Sequence, residues 1–88
     1  MSERQIEKVA EAIIGMMLHA NDLKQTFKSD YILGKAPDAL LEISGACSVL
    51  AALDIYYEVE TYDAGGYWLY SGLVIGDREF WASRYAKI

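Results

Sequence analysis

Residues 54–62, Asp-Ile-Tyr-Tyr-Glu-Val-Glu-Thr-Tyr, decide the fold class, because the spacing of apolar residues changes there from a helical period to the two-residue period of a strand. One side of the predicted strand is apolar and the other is polar or aromatic. The apolar side carries Ile55, Tyr57 and Val59. The polar or aromatic side carries Tyr56, Glu58, Glu60 and Tyr62. Such alternation is typical of a strand that covers a hydrophobic core with one face.

Two more strands are predicted downstream of this segment. Asp63-Ala64-Gly65 fits a type I turn followed by a left-handed glycine, and Gly76-Asp77 is typical of a two-residue hairpin. We therefore predict strands at Ile55 to Tyr62, Tyr67 to Ile75 and Glu79 to Ile88, which form an antiparallel meander.

A long amphipathic helix is predicted upstream, from Ser2 to Lys28. Ser2 and Gln5 have the spacing of a capping box, in which each residue bonds the backbone amide of the other. An apolar seam follows at helical spacing. Its members are Ile6, Val9, Ile13, Met16, Ala20, Leu23 and Phe27. Asn21-Asp22 leaves open whether the helix breaks there.

A second helix is predicted from Pro37 to about Leu53. It is apolar on nearly every side, which is typical of a helix buried on more than one face, so we expect it between the first helix and the sheet. Gly45, Ser48 and Ala52 form a ridge of small residues along it. The predicted fold is α+β: a two-helix hairpin packed on a three-stranded antiparallel meander in the order α-α-β-β-β, in a single domain, 1–88.

The turns set a strand register. Thr61 is expected opposite Tyr67, Val59 opposite Leu69, Leu73 opposite Phe80, and Gly72 opposite Trp81. A first turn that extends to Gly66 would shift this register by one residue and exchange the faces of the first strand, and that alternative stays open.

In the favoured register, one face gathers the residues that we predict to bind a partner. They are Tyr56, Glu58, Glu60, Tyr62, Trp68, Tyr70, Trp81 and Tyr85. Trp and Tyr are the commonest binding hot spots, because they bury a large area with few rotatable bonds. The expected partner is a larger protein or nucleoprotein complex. A homodimer interface and packing within the chain are the alternatives, since aromatic pairs also stabilise sheets without a ligand.

Charge and composition exclude several classes of partner. The net charge is −5 with a pI near 4.6, and no basic cluster is present, so direct binding to nucleic acid or to an anionic membrane is not expected. No apolar run reaches the length of a membrane span. The only cysteine, Cys47, cannot form an intrachain disulfide, so the expected location is the cytoplasm.

The sequence lacks the residues of a catalytic or metal site. His19 and Cys47 are the only histidine and cysteine; His19 is interpreted as a boundary residue of the first helix and Cys47 as a buried apolar residue. No zinc or calcium pattern, phosphate loop or dinucleotide fingerprint occurs, so neither a metal nor a cofactor is expected. Glu58 and Glu60 are interpreted as solvated carboxylates rather than a catalytic pair.

These observations favour a non-enzymatic protein-binding module, a small inhibitor or regulator of a larger assembly. The profile, short, acidic, aromatic-rich and without a catalytic site, is typical of inhibitors that phages direct against host defence systems, such as anti-CRISPR proteins. Two alternatives remain open. An acidic mimic of nucleic acid would block a basic groove, and an obligate homodimer would act as an accessory subunit.

Overall fold

The fold is known from a computed structural model that describes residues 2–22, 38–63 and 68–85. The elements are α1 (Glu3–Asp22), α2 (Asp38–Ala52), β1 (Tyr57–Asp63), β2 (Trp68–Ile75), β3 (Arg78–Trp81) and a short 3-10 turn (Ala82–Arg84). The three strands form one antiparallel sheet in the order β1-β2-β3. The predicted α+β class, with the order α-α-β-β-β, is therefore confirmed.

Several sequence-based expectations fall on residues outside these ranges. They are the continuation of the first helix to Lys28, the helix start at Pro37, the hairpin turn that includes Ala64 and Gly65, and residues 86–88 at the end of the predicted third strand.

The N-terminus of α1 is closed by the predicted capping box. The Ser2 backbone N–H donates to Gln5 Oε1 at 2.9 Å, and the Gln5 backbone N–H donates to Ser2 Oγ at 3.2 Å. These two bonds satisfy amide groups that no helical carbonyl can reach, so the helix begins here rather than further along the chain.

The central layer of the protein is α1 and not α2. α1 contacts β2, α2 and the 3-10 turn, and five of its side chains are buried. They are Ala10, Ile13, Ile14, Met17 and Ala20. The expectation that the second helix lies between the first helix and the sheet is wrong: α2 packs on α1 and meets the sheet mainly along β1.

Only one side of α2 reaches the core. Ile43, Cys47 and Leu50 are buried, whereas Leu41, Val49 and Leu53 are each more than half exposed. An apolar composition on all sides predicted burial on more than one face, but among the described elements α2 packs mainly on α1 and less on β1.

The C-terminus of α2 ends in a Schellman motif. The Ile55 N–H donates to the Leu50 carbonyl at 2.9 Å, and the Asp54 N–H donates to the Ala51 carbonyl at 3.0 Å. Asp54 adopts a left-handed φ of 57°. Glycine is the usual residue at this position, because a Cβ atom is crowded in the left-handed conformation. This turn redirects the chain from the helix into β1.

The register between β1 and β2 differs from the prediction. Val59 lies opposite Leu73 rather than Leu69, and Thr61 lies opposite Tyr70 rather than Tyr67. The register changes between Glu60 and Thr61, which leaves one extra residue in β2 as a β-bulge. The alternative prediction, a first turn that extends to Gly66, is wrong as well, because Asp63 pairs with Trp68.

The bulge changes which side chains of β2 face the core. Glu60 pairs with Gly72 and Thr61 pairs with Tyr70, so Ser71 is the extra residue. On the C-terminal side of the bulge in β2, Leu73 and Ile75 are buried. On its N-terminal side, Tyr70 is buried rather than its neighbour Leu69. The predicted faces of β1 are confirmed, since Tyr57 and Val59 pack against the core and Tyr56 and Tyr62 are exposed.

The second hairpin agrees with its prediction. Leu73 pairs with Phe80 and Gly72 pairs with Trp81, and Gly76 in the turn has a φ of 63°, which glycine adopts without a steric cost. The third strand is shorter than predicted: it ends at Trp81, and the chain enters the 3-10 turn Ala82–Arg84.

A hydrogen-bonded ion pair ties β3 to α1. Arg78 Nη2 lies 2.8 Å from Glu7 Oε1, and Arg78 Nη1 donates to the Glu3 carbonyl at 3.3 Å. The Arg78 guanidinium also lies 5.1 Å from the centre of the Phe80 ring. The hydrogen bond to Glu7 raises the pKa of Arg78 and exceeds the opposing effect of desolvation. The contact fixes the start of β3 against the first turns of the helix.

Candidate functional site

The side of the sheet opposite the helices carries exposed aromatic and acidic side chains. Both helices belong to the core on the side of Leu73 and Phe80, which leaves the other side open among the described residues. We call this side the outer face. Its members are Tyr56, Glu58, Glu60, Tyr62, Leu69, Val74, Glu79 and Trp81.

Cross-strand pairing arranges the outer face in rows. Glu58 lies opposite Val74, which lies opposite Glu79, so one row has a carboxylate on each edge of the sheet. In the next row, Glu60 lies opposite Gly72, which lies opposite Trp81. Residues directly opposite one another have Cβ atoms about 4.5–5.5 Å apart. The rows therefore place acidic and aromatic groups side by side.

The Trp81 ring lies directly on Gly72. A Cβ atom at Gly72 would lie 2.8 Å from Trp81 Cε3 and 2.6 Å from the Phe80 carbonyl oxygen. Both distances are shorter than van der Waals contact, so the position accepts only glycine in this conformation. The absent side chain makes room for the indole, and Trp81 as a residue is 38% exposed.

Tyr56 and Tyr62 are the most exposed aromatic residues of the outer face, at 60% and 49%. A hydrogen bond to the Glu58 carboxylate, desolvation and the negative charges of Glu58 and Glu60 all raise the pKa of the Tyr56 hydroxyl. The phenol therefore stays protonated and donates to the carboxylate.

The outer face carries negative charges that no positive side chain among its described members balances. Its charged members are Glu58, Glu60 and Glu79, and none of its described members is a lysine or arginine. Arg78 lies opposite Ile75, on the side of the helices, and is paired with Glu7. The outer face therefore attracts cations and positively charged surfaces.

A cleft of about 350 Å³ adjoins the outer face. It is lined by Leu18, Asn21, Tyr62, Tyr70, Ser71, Trp81, Ala82 and Ser83. Tyr62 and Trp81 belong to both the cleft and the outer face, so the two form one continuous surface. The lining contains no charged side chain, which suits an apolar or aromatic group better than an ion.

Two residues that were predicted to bind a partner do not lie on the outer face. Tyr70 is only 6% exposed, because the bulge turns it toward the core. Tyr85 follows the 3-10 turn and packs against the core instead of continuing β3. The placement of both residues on an exposed strand face is wrong. Trp68 occupies the β2 position opposite Asp63, and its side chain lies outside the description.

Sequence reasoning missed Leu69, Val74 and Glu79 on the outer face and most of the cleft. The pairing of Glu79 with Val74 follows from the correctly predicted second hairpin, so this pair could have been found from the sequence. Leu18 and Asn21 could not have been found from the sequence, because they belong to α1 and line the cleft only through the packing of that helix on β2.

The residues considered for catalysis do not meet. Cys47 is buried in α2, and burial raises the pKa of its thiol, which disfavours the reactive thiolate. His19 is exposed on α1. Within the described ranges, no group of three or more His, Cys, Asp or Glu side chains could hold a metal ion.

None of the helices in the described part of the chain is both long enough and apolar enough to cross a membrane. Comparison with protein-family models, with curated proteins and with solved structures finds no match for this chain.

Proposed function

We propose that this protein is a non-enzymatic binding module that docks through its outer face onto a larger protein or nucleoprotein complex and thereby inhibits or regulates it. The observation that carries the proposal is the grouping of three exposed aromatic side chains with three glutamates on the side of the sheet away from the helices. Aromatic side chains supply most of the energy at binding hot spots, and charges around them set partner choice and association rate.

The chemistry of the outer face favours a partner surface that is rich in arginine. A guanidinium pairs with two carboxylate oxygens and stacks on aromatic rings, and Glu60 and Trp81 lie in the same row across Gly72. The adjoining cleft would accept one apolar or aromatic side chain of the same partner. A phage-type inhibitor of a host nucleoprotein complex would meet such a surface, because proteins that bind nucleic acid carry basic grooves.

A cytoplasmic location is part of the proposal. The protein's single cysteine supports it, since the fold needs no oxidising compartment.

The proposal is tested by photo-crosslinking in the cells that produce the protein. A benzoylphenylalanine replaces Tyr62 on the outer face in one variant and His19 on α1 in a matched control. A partner that crosslinks only from position 62 is then purified and titrated with the intact protein by calorimetry. Failure to crosslink any protein from the outer face, with capture from position 19 instead, would contradict the proposal.

Two pairs of variants then separate the aromatic mechanism from nucleic-acid mimicry. Trp81→Ala with Tyr62→Ala should weaken binding about tenfold or more, because it removes the hot-spot area. Glu58→Gln with Glu60→Gln should mainly slow association and reduce the salt dependence. A larger loss from the glutamate pair than from the aromatic pair would favour an acidic mimic of nucleic acid. Circular dichroism of each variant shows whether the fold is retained.

A further inference from the structure

The lining of the cleft beside the outer face combines aromatic rings with hydroxyl groups. Tyr62 and Trp81, which the cleft shares with the outer face, are exposed, and Tyr70 is a buried part of the lining. Aromatic rings attract one another more strongly than their buried area alone explains. Ser71 and Ser83 also line the cleft, and within the described ranges neither hydroxyl has a hydrogen-bond partner. The cleft therefore fits an aromatic side chain with a polar tip better than an aliphatic one.

Two glutamates continue from the cleft along β1. Tyr62, Glu60 and Glu58 are separated by two residues each and lie on the outer face. A strand rises about 3.3 Å per residue, so neighbouring members of this line are about 6.6 Å apart. None of the described outer-face residues is basic, so the two carboxylates are not neutralised there. The surface thus consists of an uncharged aromatic cleft followed by two negative charges at equal intervals.

We propose that this line binds an extended segment of the partner that carries an aromatic residue and, two and four positions from it, basic residues. The inference rests on the proposed function and names the sequence pattern that the outer face recognises. In an extended chain every second side chain points the same way, at the same interval as in β1, so three side chains reach the cleft, Glu60 and Glu58 together. Arginine suits the two carboxylates best, because its guanidinium donates two parallel hydrogen bonds and also stacks on aromatic rings.

A helical segment fits this line less well than an extended one. Four residues of a helix rise about 6 Å, which is close to the interval of the line, but they turn by about 400°. Successive side chains at this spacing therefore rotate by about 40° each, and the third points about 80° away from the first. An extended segment keeps all three side chains on one side, apart from the twist that it shares with the sheet.

Charge favours a basic segment over a second copy of the chain on this surface. Each chain carries a net charge of −5, and the outer face holds Glu58, Glu60 and Glu79, so two outer faces repel one another. A segment with two arginines is attracted instead, and the same attraction speeds its association. Because these charges are near the surface, added salt should weaken the binding of the segment.

The proposal is tested by titrating the isotope-labelled full chain with capped pentapeptides and following NMR chemical shifts. Tyr-Thr-Arg-Thr-Arg has the proposed spacing. Its isomer Tyr-Arg-Thr-Arg-Thr has the same composition, but both arginines lie on the opposite side of an extended chain from the tyrosine. The first peptide should shift the backbone signals of Glu60 and Tyr62 and the indole N–H signal of Trp81, and should bind at least about threefold more tightly than its isomer. Both peptides are also titrated in reversed sequence, because the line fixes the spacing and not the direction.

Matched variants separate the two parts of the site. Glu60→Gln should reduce the preference for the proposed spacing, whereas Glu42→Gln, the same change at an exposed position of α2, should keep it. Ser83→Leu, at an exposed position of the 3-10 turn, should fill the cleft and weaken binding of the tyrosine peptide at least about threefold. A peptide with leucine in place of the tyrosine should lose affinity for the wild-type protein in the same way. Thermal unfolding of each variant shows whether the fold is retained.

Four results would overturn the proposal. Equal binding of the proposed peptide and its isomer, in both directions, would show that the spacing is not recognised. No change of chemical shift at about 5 mM peptide would show that the line does not bind a short segment. Binding of p-cresol as tight as that of the peptide would assign the cleft to a small aromatic molecule. Shifts of the same signals when the protein alone is concentrated would assign the surface to a second copy. The first three results leave the proposed function intact, because crosslinking from position 62 decides it, whereas the fourth contradicts both.

Discussion

Asn21 forms two hydrogen bonds with the backbone of Tyr70. Its Nδ2 donates to the Tyr70 carbonyl and its Oδ1 accepts from the Tyr70 N–H, both at 2.9 Å. β3 ends at Trp81 opposite Gly72, two residues short of Tyr70. The side-chain amide thus replaces a strand partner that β3 does not supply, and α1 completes the edge of the sheet.

Asn21→Ala should destabilise the protein by about 1–3 kcal/mol, because it leaves a partly buried donor and acceptor without these partners. Urea unfolding followed by circular dichroism measures the change. His19→Ala, at an exposed position of the same helix, is the control and should stay within about 0.5 kcal/mol of wild type. Equal effects of the two substitutions would show that the Asn21 contacts do not contribute.

Two glycine substitutions should change the free energy of unfolding in opposite directions. Gly72→Ala places a Cβ atom against the Phe80 carbonyl and the Trp81 ring, and should cost about 1–3 kcal/mol. Gly15→Ala, on the exposed side of α1 with no atom within 4 Å of the new Cβ, should stabilise by up to about 1 kcal/mol. Thermal unfolding of both variants gives the comparison, and Trp fluorescence should shift only for Gly72→Ala.

Asp54→Gly should stabilise the protein by about 0.5–1 kcal/mol. The substitution relieves the left-handed conformation at the end of α2 and leaves the Schellman hydrogen bonds unchanged. Asp77→Gly is the matched control: Asp77 is not among the residues of positive φ, so a glycine there gains nothing and loses backbone entropy. A Tm that falls for Asp54→Gly would contradict this account of the turn.

The free energy of unfolding should fall as the pH rises above about 9. Burial raises the pKa of the Cys47 thiol above its ordinary value of 9.0, so the folded state keeps a proton that the unfolded state releases. The stabilisation is therefore fully present below pH 9 and is lost as the pH rises toward the folded-state pKa, with a slope of up to about 1.4 kcal/mol per pH unit.

Denaturant unfolding from pH 8 to 10 measures this slope, and Cys47→Ala should lack it while being less stable at every pH. The same burial predicts slow reaction of the native thiol with a disulfide reagent. Rapid labelling without denaturant would show that the thiol is accessible in the folded protein.

Local patterns were enough to predict the elements that depend only on neighbouring residues. The Ser2–Gln5 capping box and the Gly76 turn are confirmed because their bonds and torsions involve residues a few positions apart. The faces of β1 are confirmed for the same reason, since alternation along one strand needs no partner. The alternation of β1 therefore identified Tyr56, and the second hairpin identified Trp81, as exposed aromatic residues.

The sequence by itself determined the fold class, the element order and the second hairpin, since each follows from periodicity and turn chemistry. Only the tertiary structure decided that Tyr70 faces the core, because the bulge at Ser71 arises from the pairing of two strands across an unpredicted register. It also decided that α1 rather than α2 is central among the described elements, and that Leu41, Val49 and Leu53 of α2 are exposed. Composition gives how apolar a helix is, but the side that is buried depends on which element packs against it.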